Sequence, residues 1–204
     1  MKLFLTSQGL SAFPDFVGKD PKDIKIAFIP TAANPYTNKP FVERDWKFFE
    51  DRDYQLKEIE IAGKEESELE RLLKGFDVIF LTGGNTFYLL EKIRESGFDR
   101  VIKKLVENGV IYAGESAGAI VAGPNIEPVE FMDHKEEAKS LTDYTGLGLI
   151  DFIPLPHYDN PKYGDAFKDI IASCDKLNLK REVLTDDQAI IVEDKNYKII
   201  ESLT

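Results

Sequence analysis

The sequence predicts a three-layer α/β fold with a mostly parallel central sheet. Short apolar runs rich in β-branched and aromatic residues alternate with helix-like stretches through the first half of the chain. Residues 26–29 and 78–81 are almost continuously apolar, as expected of strands covered by helices on both faces. Strand–helix alternation of this kind is typical of parallel sheets with right-handed crossovers.

The elements follow from apolar periodicity and from the turn residues between them. Strands are predicted at residues 2–6, 24–30, 55–61, 77–81 and 110–113, and helices at 41–51, 65–74, 86–95 and 99–108. A charged loop is predicted at 124–148, then a strand at 149–155, a helix at 165–174 and a hairpin of strands 188–193 and 197–203. Without repeats or a linker, residues 1–204 are interpreted as one domain.

The charge of the chain disfavours two classes of partner. Its 26 basic and 37 acidic residues give a net charge of −11, which repels the phosphates of nucleic acids and anionic lipids. No apolar run approaches the roughly 20 residues of a membrane helix. The lone Cys174 lies in an apolar helical stretch, so a buried thiol is expected and an intramolecular disulfide is impossible. We expect a cytoplasmic protein, as a monomer or a small homo-oligomer.

The most informative segment is a strand that leads directly into Gly114–Gly118, with the sequence Gly-Glu-Ser-Ala-Gly. Glycines allow a sharp turn, so the Ser116 hydroxyl projects at the carboxyl end of the strand, as in a nucleophile elbow. The alternative is a tight turn in which Ser116 only caps the helix that follows. The strand before the motif and the small-residue helix after it favour a nucleophile.

A second glycine turn, Thr82–Thr86, also joins a strand to a helix. In a parallel sheet both turns lie at the same edge, where ligands bind. A Gly-Gly pair can bring a backbone N–H close to a neighbouring site. We therefore assign the N–H groups of Gly84 and Ala117 to an oxyanion hole. A phosphate-binding loop is disfavoured because the turn has no Gly-Lys-Ser/Thr sequence.

The chain has two histidines that could activate Ser116. His134 lies in a charged run, where a solvated side chain is expected. His157 follows an apolar run and Pro156, so we expect it at the end of a strand and interpret it as the general base. The alternative for His157 is a structural histidine bonded to a backbone carbonyl.

Two carboxylates are candidates for the acid that orients the histidine. Asp186 lies in a turn just before the predicted strand at 188–193, and Asp133 lies in the loop beyond the elbow helix. Each could also be a solvated turn residue, and Asp187 and Glu130 are further alternatives. Two separated histidines and one cysteine offer no zinc-like ligand cluster, and the mechanism requires no metal or organic cofactor.

The two glycine blocks and Pro156-His157 resemble those of the dipeptidase E-like serine peptidases, the aspartyl dipeptidase and cyanophycinase group related to class I glutamine amidotransferases. The resemblance covers nearly the whole chain and implies a flavodoxin-like three-layer sandwich. It also implies a Ser–His–acid peptidase of small peptides, with Ser116, His157, Gly84 and Ala117 in the roles given above.

For the acid, the resemblance slightly favours Asp186, in Leu184-Thr185-Asp186, over Asp133. Aspartyl dipeptidases of this group bind the acidic side chain of the substrate through an arginine after the histidine block. Residues 158–180 contain no arginine, so the resemblance does not extend a preference for amino-terminal Asp to this chain. An esterase or amidase with the same groups, or a non-catalytic module that binds a small ligand, is the alternative function.

Overall fold

The computed structural model describes all 204 residues and is built on a seven-stranded sheet. The chain forms nine strands in all: β1 (Lys2–Thr6), β2 (Lys25–Ile29), β3 (Gln55–Glu58), β4 (Val78–Leu81), β5 (Ile111–Glu115), β6 (Ile153–Leu155), β7 (Arg181–Val183), β8 (Gln188–Glu193) and β9 (Asn196–Glu201). Seven of them form the central sheet, in the order β3-β2-β4-β5-β1-β8-β9, and β6 and β7 lie outside it. Its first five strands are parallel, whereas β8 and β9 form the predicted antiparallel hairpin.

Helices lie on both faces of this sheet: α1 (Phe13–Val17), α2 (Pro40–Glu50), α3 (Glu66–Leu72), α4 (Thr86–Ser96), α5 (Phe98–Glu107), α6 (Ala117–Ile120) and α7 (Gly164–Lys176). Alternate residues of each strand enter different cores. In β4, Val78 and Phe80 pack with α1 and α2, whereas Ile79 and Leu81 join the larger core beneath α3 to α7. The predicted three-layer fold is therefore confirmed. None of these helices has the length and apolar character needed to cross a membrane.

The turn from β4 into α4 has its own hydrogen bonds. The side-chain oxygen of Asn85 accepts the N–H of Tyr88 at 2.8 Å, which satisfies one free donor of the first helical turn. The N–H of Asn85 donates to the carbonyl oxygen of Ala32 at 2.8 Å, in the segment after β2. The chain therefore leaves β4 in a fixed direction, at the edge where parallel strands end.

The strand predicted at residues 149–155 is wrong in extent. Only β6 is extended, and it pairs with β7 in a separate two-stranded sheet instead of joining the central sheet. Pro154, in the middle of β6, has no N–H to donate, and proline is confined to sheet edges for that reason. Two short elements, α1 and β7, were not predicted from the sequence, and the long loop at 124–148 contains 3₁₀ turns.

An aromatic cluster fills the smaller core. Phe49 of α2 is fully buried, and its ring centroid lies 5.2 Å from Phe13, 5.6 Å from Tyr54 and 5.0 Å from Phe80. All three pairs are edge-to-face, the arrangement that aromatic rings prefer. Phe49 therefore joins α1, α2 and the central strand β4.

We expect Phe49→Ala to lower the free energy of unfolding by about 3–5 kcal/mol, because it removes buried surface and leaves a cavity among packed rings. Denaturant unfolding measures this change. Phe131→Ala is the matched control, since that ring is 45% exposed and its loss should cost less than about 1 kcal/mol. Equal losses in the two variants would contradict the role given to the cluster.

Candidate active site

Ser116 lies on a strained turn between β5 and α6. Its backbone has φ 47° and ψ −105°, a conformation that non-glycine residues rarely adopt. A Cβ on Gly114 would lie 2.3 Å from the carbonyl oxygen of Gly118, and one on Gly118 would lie 2.3 Å from that of Leu81. Only glycine fits at either position, which explains the Gly-x-Ser-x-Gly spacing and leaves the hydroxyl projecting from the strand end.

His157 lies against this hydroxyl. Its Nε2 is 2.9 Å from Ser116 Oγ, although the two residues belong to different parts of the fold. The backbone of His157 also has a positive φ, 67°, and its N–H donates to Ser7 Oγ at 2.9 Å. The imidazole stacks on the Tyr163 ring, with 5.1 Å between centroids and an angle of 24°. These contacts fix the ring in one orientation.

Asp186 completes a chain of hydrogen bonds. Its Oδ1 lies 2.6 Å from His157 Nδ1, and its Oδ2 accepts from Asn160 Nδ2 at 2.8 Å. Ser7 Oγ donates to the same Oδ1 at 3.2 Å. The hydrogen bond from His157, with those from Asn160 and Ser7, lowers the pKa of Asp186 below its usual value. Ser116, His157 and Asp186 are thus brought together in the order that nucleophilic catalysis requires.

The other candidate acids lie elsewhere. Asp133 Oδ2 accepts the N–H of Thr86 at 2.9 Å, at the start of α4, and forms no hydrogen bond with His157. Burial raises its pKa above the usual value. Asp187 accepts hydrogen bonds from Thr204, and Glu130 pairs with Lys135 at 2.6 Å.

His134, the other histidine, is exposed to solvent, as its charged surroundings led us to expect. Sequence reasoning missed three residues that hold the histidine and the acid. Ser7, Asn160 and Tyr163 contact His157 or Asp186 through the bonds described above. Ser7 follows β1 directly, so its place at the carboxyl edge of a parallel strand was a usable signal. Asn160 and Tyr163 lie in a loop, where no comparable signal exists.

Two backbone donors, in the turns that contain Gly84 and Ser116, have no acceptor in the protein. Neither the N–H of Gly84 nor that of Ala117 donates a hydrogen bond. Gly84 has φ 143°, and a Cβ there would lie 2.2 Å from the carbonyl oxygen of Ala32, so only glycine allows this approach. Neither N–H group is thus used in the hydrogen bonds of the fold itself.

A cavity of about 440 Å³ is lined by Gly84, Ser116 and His157. Asp133 and Lys162 are lining residues of opposite charge, and Tyr36, Phe41 and Tyr163 supply aromatic surface. Burial and the charge of Asp133 raise the pKa of Tyr36 to about 12, so its hydroxyl stays protonated. Nowhere in the fold do three His, Cys, Asp or Glu side chains come together in a way that could hold a metal ion.

Comparison with known proteins shows the family of this chain. Residues 6–200 match the model of peptidase family S51. The uncharacterized peptidase Lin0382 of Listeria innocua is 34% identical over 195 residues, which cover 95% of this chain and 93% of its own length. Peptidase E of a Nostoc species is 36% identical over 146 residues, which cover 72% of this chain and 56% of its own.

A solved structure shows the same similarity in three dimensions. The crystal structure of a candidate peptidase E from Listeria monocytogenes superposes with a TM-score of 0.90 and 32% identity, over 98% of both chains. The resemblance that the two glycine blocks indicated is thus confirmed. Because the family match extends over nearly the whole sequence, this chain belongs to peptidase family S51 and is a serine-type peptidase.

Proposed function

We propose that this protein hydrolyses small peptides, with Ser116 as nucleophile, His157 as general base and Asp186 as the acid that orients the base. One observation carries the proposal. Hydrogen bonds run without a break from Ser116 Oγ to His157 Nε2 at 2.9 Å and from His157 Nδ1 to Asp186 Oδ1 at 2.6 Å. The same order of groups activates serine in unrelated hydrolases.

His157 takes up and releases the proton during the reaction. Asp186, ionised because its pKa is lowered, accepts a hydrogen bond from Nδ1–H of His157 and leaves Nε2 free to take the Ser116 proton. Ser116 Oγ attacks the peptide carbonyl carbon, and the resulting imidazolium is stabilised by Asp186. His157 then gives its proton to the leaving amine as the C–N bond breaks. Water, deprotonated by His157, releases the acyl group from Ser116.

The tetrahedral intermediate carries a negative charge on the former carbonyl oxygen. We assign the stabilisation of this oxygen to the N–H groups of Gly84 and Ala117. Both donors lack a partner in the protein, and Gly84 lines the same cavity as Ser116. Donors held in place before the reaction stabilise the transition state at no cost in reorganisation.

The charges around the cavity support a small zwitterionic substrate. Asp133 keeps one oxygen free of backbone bonds and is suited to the ammonium group of a peptide amino terminus. Lys162 lies beside Tyr163, which stacks on His157, so it is suited to a carboxylate on the leaving-group side. Opposite charges that line one cavity favour one orientation of a bound peptide.

The same proposal extends to the whole molecule. Residues 1–204 would act as one domain, because Ser7 after β1 and Asp186 before β8 both contact His157. A cytoplasmic location fits the single cysteine, Cys174, which is buried and unpaired. The site is complete within one chain and therefore suits a monomer or a small homo-oligomer.

Ser116→Ala is expected to lower kcat by roughly 10⁴-fold or more, because no other group can form the acyl intermediate. The change removes one hydroxyl, so the fold and thermal unfolding should stay as in the wild type. Steady-state hydrolysis of dipeptides, with purified protein, measures the effect. Wild-type kcat in this variant would rule out Ser116 as the nucleophile.

His157→Ala is expected to abolish peptide hydrolysis and to prevent labelling of Ser116 by a fluorophosphonate probe, because the hydroxyl then has no base. His134→Ala is the matched control, since His134 is exposed and should affect neither measurement. Loss of labelling in His134→Ala, with His157→Ala unaffected, would reverse the assignment.

Asp186→Asn is expected to lower kcat by about 10⁴-fold with little change in KM, because an amide would favour the wrong histidine tautomer. Asp133→Asn is the paired variant and should raise KM roughly tenfold, with kcat nearly constant, since one charged contact to the substrate is lost. Kinetics on free and amino-acetylated dipeptides separate the two effects. A kcat defect confined to Asp133→Asn would exchange the two roles.

A further inference from the structure

A buried carboxylate lies directly behind the proposed nucleophile. Glu115, the last residue of β5, is 3% exposed, and acidic side chains are rarely buried so completely unless they are paired. Its two oxygens have different partners. Oε2 accepts the N–H of Gly83 at 2.6 Å, and Oε1 accepts a hydrogen bond from Arg44 Nη2 at 2.8 Å. The carboxylate therefore joins the elbow to the glycine turn after β4 and to α2.

Arg44 also binds a second buried carboxyl group. Its Nε and Nη2 lie 2.9 Å and 2.7 Å from Asp45 Oδ1, and the Asp45 side chain is completely buried. Burial, together with the negative charge of Glu115, holds the pKa of Asp45 well above its usual range. Asp45 Oδ2 has no hydrogen-bond partner in the protein. Arg44 therefore bridges two buried carboxyl groups, those of Asp45 and Glu115.

The orientation of Gly83 decides where the N–H of Gly84 points. The carbonyl of Gly83 and the N–H of Gly84 belong to one planar peptide unit. Glu115 holds the N–H of Gly83, and the Thr82 hydroxyl donates to the Gly83 carbonyl oxygen at 3.0 Å. A Cβ on Gly83 would lie 2.6 Å from Glu115 Oε2 and 3.3 Å from Ser116 Cβ. The glycine turn, the carboxylate and the serine are therefore packed together.

We propose that Glu115 is a positioning residue for the oxyanion hole. Held by Arg44, it fixes the N–H of Gly83 and thereby the start of the Gly83–Gly84 peptide, so that the N–H of Gly84 faces the oxyanion that forms beside Ser116. The inference rests on the proposed function, in which that N–H stabilises the tetrahedral intermediate. An oxyanion donor acts mainly once charge has developed on the substrate oxygen, so loss of the Glu115 carboxylate slows the chemical step and leaves substrate binding intact.

Glu115→Gln tests this, because it keeps the shape of the side chain and removes its charge. We expect kcat to fall about 100-fold while KM changes less than about threefold. A peptide aldehyde, which forms a tetrahedral adduct with the serine, should lose affinity by the same factor as kcat. A rise in KM at constant kcat, or wild-type affinity for the aldehyde, would overturn the proposal.

Glu193→Gln is the matched control. Glu193 ends β8 at the surface, where it pairs with Lys2 at 3.2 Å, and its loss should leave kcat, KM and aldehyde affinity unchanged. If Glu115→Gln does not fold, Arg44→Met, at a half-exposed position, gives the second test. It should lower kcat about tenfold at constant KM, because Glu115 loses its charged partner. Wild-type kcat in that variant contradicts the proposal.

An NMR measurement separates this inference from the proposed function. In the ¹⁵N-labelled full chain, Glu115→Gln should shift the amide resonances of Gly83 and Gly84, whereas Glu193→Gln should leave both in place. If the Gly83 and Gly84 resonances shift but the protein cleaves no peptide, the proposed function is contradicted and the positioning of Gly84 by Glu115 is still supported. An unchanged Gly84 resonance together with normal peptide cleavage would support the proposed function and contradict the positioning role of Glu115.

Discussion

The close approach of backbones at two glycine turns is the constraint on which the site depends. A Cβ on Gly118 would lie 2.3 Å from the carbonyl oxygen of Leu81, and one on Gly84 would lie 2.2 Å from that of Ala32. These contacts bring the ends of β2, β4 and β5 together at one edge of the sheet. A side chain at either glycine would push the strand ends apart and separate the N–H of Gly84 from Ser116. These two close approaches therefore fix the position of the Gly84 turn relative to the Ser116 turn.

The parts of the structure that depend on local sequence could be predicted. Strand–helix alternation indicated the parallel sheet, and glycine spacing indicated both turns and the position of Ser116. His157 could be selected because the chain has only two histidines and His134 lies in a charged, solvated run. In each case the physical cause, whether burial on two faces or a backbone that needs glycine, acts over a few consecutive residues.

The rest depends on contacts between distant residues, which a single sequence does not display. Asp133 and Asp186 have similar local surroundings, and only the folded chain shows that Asp186 meets His157 while Asp133 binds the start of α4. The pairing of β6 with β7 likewise joins residues far apart in the sequence, such as Ile153 and Arg181. Nothing in the sequence indicates that Glu115 of the elbow motif is buried and paired. Its partner Arg44 lies 71 residues earlier, in α2.

The order of strands has a consequence for the protein during its own synthesis. β1 lies between β5 and β8, and the acid of the proposed relay sits just before β8. A ribosome therefore makes the serine and the histidine before it makes Asp186 and the strand that closes the sheet beside β1. The proposed set of Ser116, His157 and Asp186 is therefore incomplete in every nascent chain that ends before Asp186. Under the proposed function, full peptidase activity therefore has to await the synthesis of Asp186.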